Sequence, residues 1–418
     1  IQASGDIDFR QGTQASFTGK ATDLQATEVS FLKKEGLVAS SDGQFRISAR
    51  KGMFALDYQG STDGMRYAGL EFDQGRIDAS YAGSIVLIRK FNAKTLGGSV
   101  AALGTIGRGG ALELQASGLG INLASAMKSR PAVGRVHFAG RITGSTKSPM
   151  FRGNVGAERV MVSELEIERI AGKAYASHDR ISLTDLAFYH YPGSLIISGT
   201  VKNPLSEDRG LDLSVKADAI DVGGLSAGGP SGLDNGMLFG NLTVSGTSLH
   251  PKIEGDFHVQ GASYQGAPLD SLIAKFRYGD EGFHLEDFRV SSGSSLVAAK
   301  GGVTKAGEMS AEFQSDGLAL EKLSRLFEPY AAVSGNASVK GSVAGKLKDP
   351  SAKIEIASNG LTVNNQAFSD FAAKASFDKN VLVLSDIGLS DGKARYSIPE
   401  FSYDLKAKTA RASVRVQD

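Results

Sequence analysis

The chain contains no cysteine and no tryptophan among its 418 residues. The absence of cysteine excludes disulfides, thiolate metal sites and cysteine nucleophiles, and it fits an oxidising compartment. No apolar run reaches the length of about 18 residues that a membrane-spanning helix needs, so we expect no segment to cross a bilayer. The chain begins without Met and without a signal-peptide pattern, which we interpret as a processed chain or a fragment of a longer one.

An excess of charge of one sign is also lacking. The 46 basic and 45 acidic residues alternate finely along the chain, and the formal net charge is +1. Because binding to a phosphate backbone needs a concentrated basic patch, we do not expect nucleic acid as a partner. Proline is scarce, with 10 residues, whereas the 52 glycines are nearly double the average usage and show no collagen-like period.

A repeat of roughly a hundred residues is the strongest feature present. The segments ITGSTKSPMFRGNV, VSGTSLHPKIEGDF and VAGKLKDPSAKIEI carry the same Gly and Pro spacing. The repeated positions are Gly134, Gly144 and Pro149, then Gly236, Gly246 and Pro251, then Gly335, Gly345 and Pro350. We therefore predict four repeats, which are a longer degenerate first copy at 1–133 and further copies at 134–235, 236–334 and 335–418.

Alternation of apolar and polar residues dominates each repeat. RVHFAGRIT sets Val136, Phe138 and Ile142 on one face, and LIAKFRY does the same with Leu272 and Phe276. This period of two predicts half-buried strands, and turn sequences such as YGDEG and LKDP predict antiparallel neighbours. We expect an all-β fold, an elongated and curved antiparallel sheet, with short helices at LALEKLSRLFEPY and INLASAMKS.

Such a sheet must cover its apolar face. With five or six strands per repeat the chain holds roughly twenty or more strands, beyond the usual size of an open sheet. The sheet therefore folds onto itself as closed sandwiches, or it curls into a U-shaped gutter or solenoid with an apolar inner wall. The predicted lining is Val136, Phe138, Ile142, Leu195, Ile197, Leu242, Val244, Leu272, Phe276, Val339 and Val343. Small residues, Ala274, Ala337 and Gly140 among them, would leave width in a gutter.

Candidate catalytic motifs are weak. GLSAG, residues 224–228, matches the nucleophile-elbow pattern with Ser226, but the following GPSGLDNG cannot start the helix that an elbow needs. SELEIER spaces Glu164, Glu166 and Glu168 about 7 Å apart, which would suit an inverting glycosidase, yet no aromatic sugar platform lies nearby. A loop and a solvated strand face are the expected structures.

Metal and phosphate motifs are equally weak. GTIGRGG, residues 104–110, lacks the Lys-Ser/Thr ending of a phosphate loop and is expected to be a turn. No two histidines have metal-ligand spacing. The six are His137, His178, His190, His250, His258 and His284. We therefore expect no enzyme activity, no cofactor and no metal.

The repeat has a recognisable form. A strand that ends in Gly is followed after four residues by Pro and after three more by Gly, as in Gly144–Pro149–Gly153 and Gly246–Pro251–Gly255, while Ile354 replaces the last Gly in the third copy. This pattern resembles the TamB and AsmA-like proteins of Gram-negative envelopes, which are built from repeating β-grooves. The resemblance covers nearly the whole chain and is clearest from Gly134 to Phe377.

The resemblance implies a β-groove that crosses the periplasm from an inner-membrane anchor outside this chain. It also implies phospholipids as ligands, carried between the inner and outer membranes at the two ends of the full-length protein, and a role in outer-membrane biogenesis. Some TamB-type members are linked to barrel assembly, so an outer-membrane barrel partner and a scaffold that acts by β-augmentation form the alternative. A secreted β-solenoid adhesin repeats far more often than every hundred residues, so the period disfavours it.

Overall fold

The computed structural model describes residues 1–8, 14–25, 38–50, 53–67, 70–126, 132–162, 165–223, 233–264, 267–320, 332–404 and 406–417. The chain forms two units, Ile1–Gly210 and Leu211–Asp418. Strands account for 81% of the chain and helices for 2%, which confirms the all-β fold class. The division at Gly210 lies inside the predicted repeat 134–235, so a unit is not a whole number of sequence repeats.

Unit 1 consists of antiparallel strands that pair in chain order. Its strands are β1 Gln2–Asp8, β2 Gln14–Gln25, β3 Val38–Arg50, β4 Met53–Thr62, β5 Met65–Tyr67, β6 Leu70–Phe72, β7 Gln74–Ala82, β8 Ile85–Thr95, β9 Gly98–Ile106, β10 Ala111–Asn122, β11 Ala132–Ser145, β12 Ser148–Val162, β13 Leu165–Ala176, β14 Arg180–His190 and β15 Gly193–Lys202. A 3-10 turn spans Arg108–Gly110, and the short helix α1 spans Leu123–Ala126. Thirteen long strands, β1 to β4 and β7 to β15, follow one another, which is about 60 Å of sheet measured across the strands.

Unit 2 follows the same plan. Its strands are β16 Gly210–Asp221, β17 Leu233–Asp234, β18 Met237–Thr247, β19 Pro251–Gln260, β20 Ser263–Tyr264, β21 Ala267–Pro268, β22 Ser271–Gly279, β23 Gly282–Ser292, β24 Ser295–Val303, β25 Glu308–Ala319, β26 Val333–Lys346, β27 Asp349–Ser358, β28 Leu361–Val363, β29 Gln366–Phe368, β30 Asp370–Asp378, β31 Val381–Ser390, β32 Arg395–Asp404 and β33 Thr409–Gln417. The long strands from β18 to β33 pair antiparallel in chain order. Most of the helix predicted at residues 318–330 lies outside the described residues.

The repeated Gly and Pro residues form the same hairpin three times. The directly opposed pairs are Gly144 with Pro149, Gly246 with Pro251 and Gly345 with Pro350, and these glycines have φ values of 90°, 86° and 107°. The other repeated glycines, Gly134, Gly236 and Gly335, also have positive φ, at 155°, 95° and 121°. Residues with a side chain rarely adopt a positive φ, so glycine is favoured at these positions. The repeated glycines therefore stand where the chain must turn or kink.

Among the described residues, three short hairpins form side pairings, two with the starts of long strands and one with the two-residue strand β17. β5–β6 pairs with the start of β3, β20–β21 pairs with β17, and β28–β29 pairs with the start of β26. Hydrogen bonds from hydroxyl groups stabilise two of these hairpins. Thr95 Oγ1 donates to Glu71 O and Ser292 Oγ donates to Pro268 O, each at 2.6 Å. The sequence pattern did not predict these branches, since each strand has only two or three residues.

Bulges keep the apolar residues of the long strands on one face. In β14, Asp185 has φ 47°, and the extra residue lets Leu183 and Leu186 face the same side of the sheet. Gly120 in β10 and Gly317 in β25 have φ of 68° and 69° and do the same near the strand ends. An extra residue shifts the alternation by one position, so without these bulges half of each strand would turn its apolar side chains to the other face.

Among the described residues, no second layer buries the apolar face fully. The chain exposes 26534 Å², whereas a compact protein of 43.8 kDa exposes about 15,000 Å², and two compact bodies of half that mass expose about 19,000 Å² together. Most buried apolar residues are alanines, and no large side chain among the described residues is fully buried. The described strands therefore form single sheets rather than the closed core of a sandwich.

Candidate functional site

The apolar face of unit 1 is continuous across its sheet. One row of directly paired residues runs from β2 to β15 and contains no charged side chain. The row is Gly19, Phe45, Tyr58, Ala79, Ile88, Gly104, Leu114, Ile142, Phe151, Ala176, Ile181 and Val201. Every residue in it is half-buried. Its one polar side-chain atom is the Tyr58 hydroxyl, which lies 2.6 Å from Ser41 Oγ.

The apolar face of unit 2 has the same character. The corresponding row runs from β18 to β32 as Leu242, Gly255, Phe276, Leu285, Gly301, Ala311, Val343, Ala352, Phe377, Leu382 and Tyr403. Gly255 is buried and the others are half-buried. Each unit thus presents an uncharged surface that is wider than a single ligand pocket, and this surface is the candidate site.

Every residue predicted to line a groove lies on the apolar face of its unit. Unit 1 contains Val136, Phe138, Ile142, Leu195 and Ile197, and unit 2 contains Leu242, Val244, Leu272, Phe276, Val339 and Val343. All eleven are half-buried. The eleven residues are distributed over strands β11, β15, β18, β22 and β26. They therefore belong to long surfaces and not to one pocket. Whether they hold lipid stays a prediction.

Aromatic rings cluster on both apolar faces. The rings of Phe138 and Phe151 meet edge to face, with centroids 5.7 Å apart. In unit 2 the Phe276 ring lies 5.7 Å from the rings of both Phe257 and Phe283. Prediction from isolated strands missed Phe151, Phe257 and Phe283. The signal was clear for Phe257, which lies between Asp256 and His258, and weaker for Phe151 and Phe283, each of which has a polar side chain on one side only.

Two of the small residues have a different role from the one predicted. A Cβ placed on Gly140 would lie 2.3 Å from the carbonyl oxygen of Arg152 and 2.7 Å from Cα of Gly153. Gly140 is therefore needed for the close approach of β11 and β12. Ala337 is 1% exposed, so it lies beneath its neighbours. Only Ala274, half-buried between Phe257 and Phe288 in the cross-strand register, fits the predicted role of leaving width.

The opposite face, which we call the polar face, has paired charges. Arg89 donates from Nε to Asp78 Oδ1 at 2.6 Å and from Nη1 to Asp57 Oδ1 at 3.1 Å. The hydrogen bond to Asp78, together with that to Asp57, raises the pKa of the Arg89 guanidinium above its ordinary value. The hydrogen bond from Lys374 Nζ to Asp386, 2.9 Å long, likewise raises the pKa of Lys374. These pairs are exposed, so they contribute to strand register more than to stability.

The catalytic candidates do not form a site in the described residues. Ser226 and Glu164 lie outside those residues, while Glu166 and Glu168 are exposed on β13. GTIGRGG contains the end of β9 and the 3-10 turn. Within the described ranges, no group of three His, Asp or Glu side chains could hold a metal ion, and no helix has the length and apolarity to cross a membrane.

The candidate site is therefore the apolar face of each unit, and the opposite, polar face carries ion pairs such as that of Arg89 with Asp57 and Asp78. Its chemistry is limited to the burial of apolar groups, because the two rows contain no Asp, Glu, His, Lys or Arg side chain. Since no family model, curated protein or solved structure matches the chain, its function is inferred from this geometry and from the form of its repeat.

Proposed function

We propose that the chain is a segment of a periplasm-spanning lipid-transfer protein of a Gram-negative envelope. Its apolar face shields the acyl chains of phospholipids in transit between the inner and outer membranes. The observation that carries the proposal is the uncharged row of cross-strand partners in each unit, half-buried and without a second layer that buries it. The resemblance of the repeat to TamB and AsmA-like proteins supports the periplasmic location and the choice of phospholipid as the ligand.

The energetic argument concerns the acyl chain. Exposing a methylene group to water costs about 0.8 kcal/mol, so a chain of sixteen carbons costs roughly 13 kcal/mol. A continuous apolar face removes most of this cost wherever the lipid lies along it. Because the rows repeat similar residues from strand to strand, no single position is expected to hold the lipid much more tightly than the next. A lipid on such a surface is able to move along it.

The scaffold alternative requires long strand edges that a client protein can extend. Within the described residues, the long strands from β2 to β14 and from β19 to β32 are paired on both sides. The short strands β6, β17, β21 and β29, with two or three residues each, are paired on one side. Edges this short offer few backbone hydrogen bonds to a client strand. This observation favours the apolar face over the strand edges as the working surface.

Site-specific photo-crosslinking tests the proposal. Phe276 lies on the apolar face, whereas its neighbour Arg277 lies on the polar face with a side chain that is 55% exposed. With p-benzoylphenylalanine at position 276, we expect co-purified phospholipid to become attached when the chain is isolated from a bacterial envelope. The same probe at position 277 is the matched control and is expected to give no lipid adduct. Equal adduct at both positions, or adduct at neither, would count against a lipid-bearing apolar face.

A further inference from the structure

The polar face of unit 1 carries a group of cations that differs from the rest of that face. We call it the cationic patch and define it as Arg141, Arg152, Lys173, Arg180 and Lys202, on strands β11 to β15. All five residues are exposed. They come from five strands and are separated by up to about sixty positions in the sequence. For this reason the even alternation of charge along the chain hides the patch.

Strand register opposes like charges twice within the patch. Arg141 is directly opposite Arg152, and Arg180 is directly opposite Lys202. Like charges in directly opposed positions of an antiparallel pair are destabilising. A protein keeps such an arrangement at a cost in stability unless an anion neutralises it.

Within the described residues, none of the five cations forms a salt bridge at 4.0 Å or less with an acidic side chain. Of two nearby acids, Asp185 accepts the hydroxyl of Ser198 and Asp179 accepts that of Ser177. The hydrogen bond from Ser177 and, to a smaller extent, the charge of Arg180 lower the pKa of Asp179. Glu113, on the same face, is directly opposite Thr143 and not opposite a cation. The contrast is with Lys275, Lys300 and Lys374 in unit 2, each of which contacts a carboxylate.

A depression of about 720 Å³ lies within the patch and provides further donors. Its lining includes Arg152, Lys173 and Arg180 together with Tyr175, Asn154, Ser182 and Thr184, and it contains no Asp or Glu. The Arg180 guanidinium lies 5.4 Å from the centroid of the Tyr175 ring, which restricts the orientation of its donors. Planar guanidinium groups suit the paired oxygens of a phosphate group, and hydroxyl and amide donors can satisfy the remaining oxygens.

The sequence repeat provides an internal comparison. The positions that correspond to Arg141 and Arg152 in the next copy are Thr243 and Glu254, and Glu254 is directly opposite Arg277. The opposed bases Arg141 and Arg152 therefore correspond to a threonine opposite a glutamate in the next copy. The cationic patch is thus a local feature of one repeat and not a property of the sheet in general.

We propose that the cationic patch binds a phosphate-bearing anion on the polar face of unit 1. This site is separate from the apolar face and does not depend on the lipid-transfer proposal. The phosphate group is the recognised chemistry, and it belongs either to a free polyphosphate or to the headgroups of an anionic bilayer.

The test compares two double variants of the whole chain. R141S/R152S removes one opposed pair of cations from the patch, while K275S/R277S removes two cations from unit 2 that both contact Glu286. The two variants change the net charge equally. Binding of inorganic pyrophosphate is measured by calorimetry, and binding to vesicles of phosphatidylglycerol and phosphatidylcholine is measured by sedimentation, both at low salt.

We expect R141S/R152S to weaken binding at least tenfold and K275S/R277S to leave it nearly unchanged. A loss with both probes identifies a site for free phosphate groups, and a loss with vesicles alone identifies lipid headgroups as the source. Equal losses in the two variants, or no loss in R141S/R152S, would overturn the proposal. The melting temperature of R141S/R152S should not fall, because a repulsive pair is removed. If it does fall, R180S/K202S removes the other like-charge pair and must show the same tenfold loss.

Discussion

Val339→Arg is expected to remove phospholipid from its part of the apolar face and to reduce lipid crosslinking there at least tenfold. Val339 is half-buried on β26, between Ser315 on β25 and Ile356 on β27 in the cross-strand register. A guanidinium group at this position must stay hydrated or find a partner, and neither is compatible with an acyl chain lying across it. A photo-crosslinker at Phe313, which faces the same side on the neighbouring strand, reports the loss as a lower yield of lipid adduct.

The matched control is Ser338→Arg. Ser338 is the preceding residue of β26 and is exposed on the polar face, so the same side chain and charge are added on the other side of the sheet. The yield of adduct at Phe313 should then equal that of the parent chain. Circular dichroism must show that both variants keep their strands. A Val339→Arg chain that keeps its fold and still crosslinks lipid at the parent yield would show that lipid does not lie on this face.

Gly140→Val is expected to lower the free energy of unfolding by about 3 kcal/mol or more. The new Cβ would lie 2.3 Å from the Arg152 carbonyl oxygen, and backbone atoms in a paired strand cannot yield as a flexible side chain does. The β11–β12 pair must open to accept it. The measurement is the urea midpoint, together with hydrogen-exchange protection of the β11 and β12 amides.

Ala139→Val separates the steric effect from strand propensity. Ala139 is the preceding residue on the same strand, but it is exposed on the polar face opposite Asn154. Both substitutions introduce a β-branched residue that strands favour, so the difference between them isolates the close contact at Gly140. We expect Ala139→Val to change the free energy of unfolding by less than about 0.5 kcal/mol. Similar losses for the two variants would mean that β11 and β12 separate easily at Gly140.

Much of the fold could be predicted from local pattern, because the period of a strand is the simplest signal in a sequence. In RVHFAGRIT the apolar residues alternate without interruption, and the structure places Val136, Phe138 and Ile142 on one face of β11. The three Gly–Pro hairpins could be predicted for a related reason. A positive φ opposite a proline restricts the residue type so strongly that the motif survives in copies with little else in common.

The rest could not be predicted, because it depends on contacts between strands. The bulge at Asp185 is visible in the sequence only as two polar residues between Leu183 and Leu186, a pattern that an ordinary strand end also produces. The contact at Gly140 involves backbone atoms of a partner strand that alternation does not specify. The opposition of Arg141 and Arg152 follows from the register of a hairpin, so the cationic patch exists only once the strands are aligned.

The order of strand pairing has a consequence for how the protein forms. The long strands from β2 to β14 and from β19 to β32 each pair with the long strands that precede and follow them in the chain. The paired residues are therefore separated by a few tens of positions at most, as Glu308 and Lys346 are, in a chain of 418 residues. A low relative contact order favours rapid folding with little entropy lost in closing loops. Such a sheet can grow by adding one strand at a time to a finished edge. When the chain emerges slowly from a ribosome or a translocation channel, each new long strand can pair with the strand before it. Its pairing does not depend on a segment that is distant in the sequence.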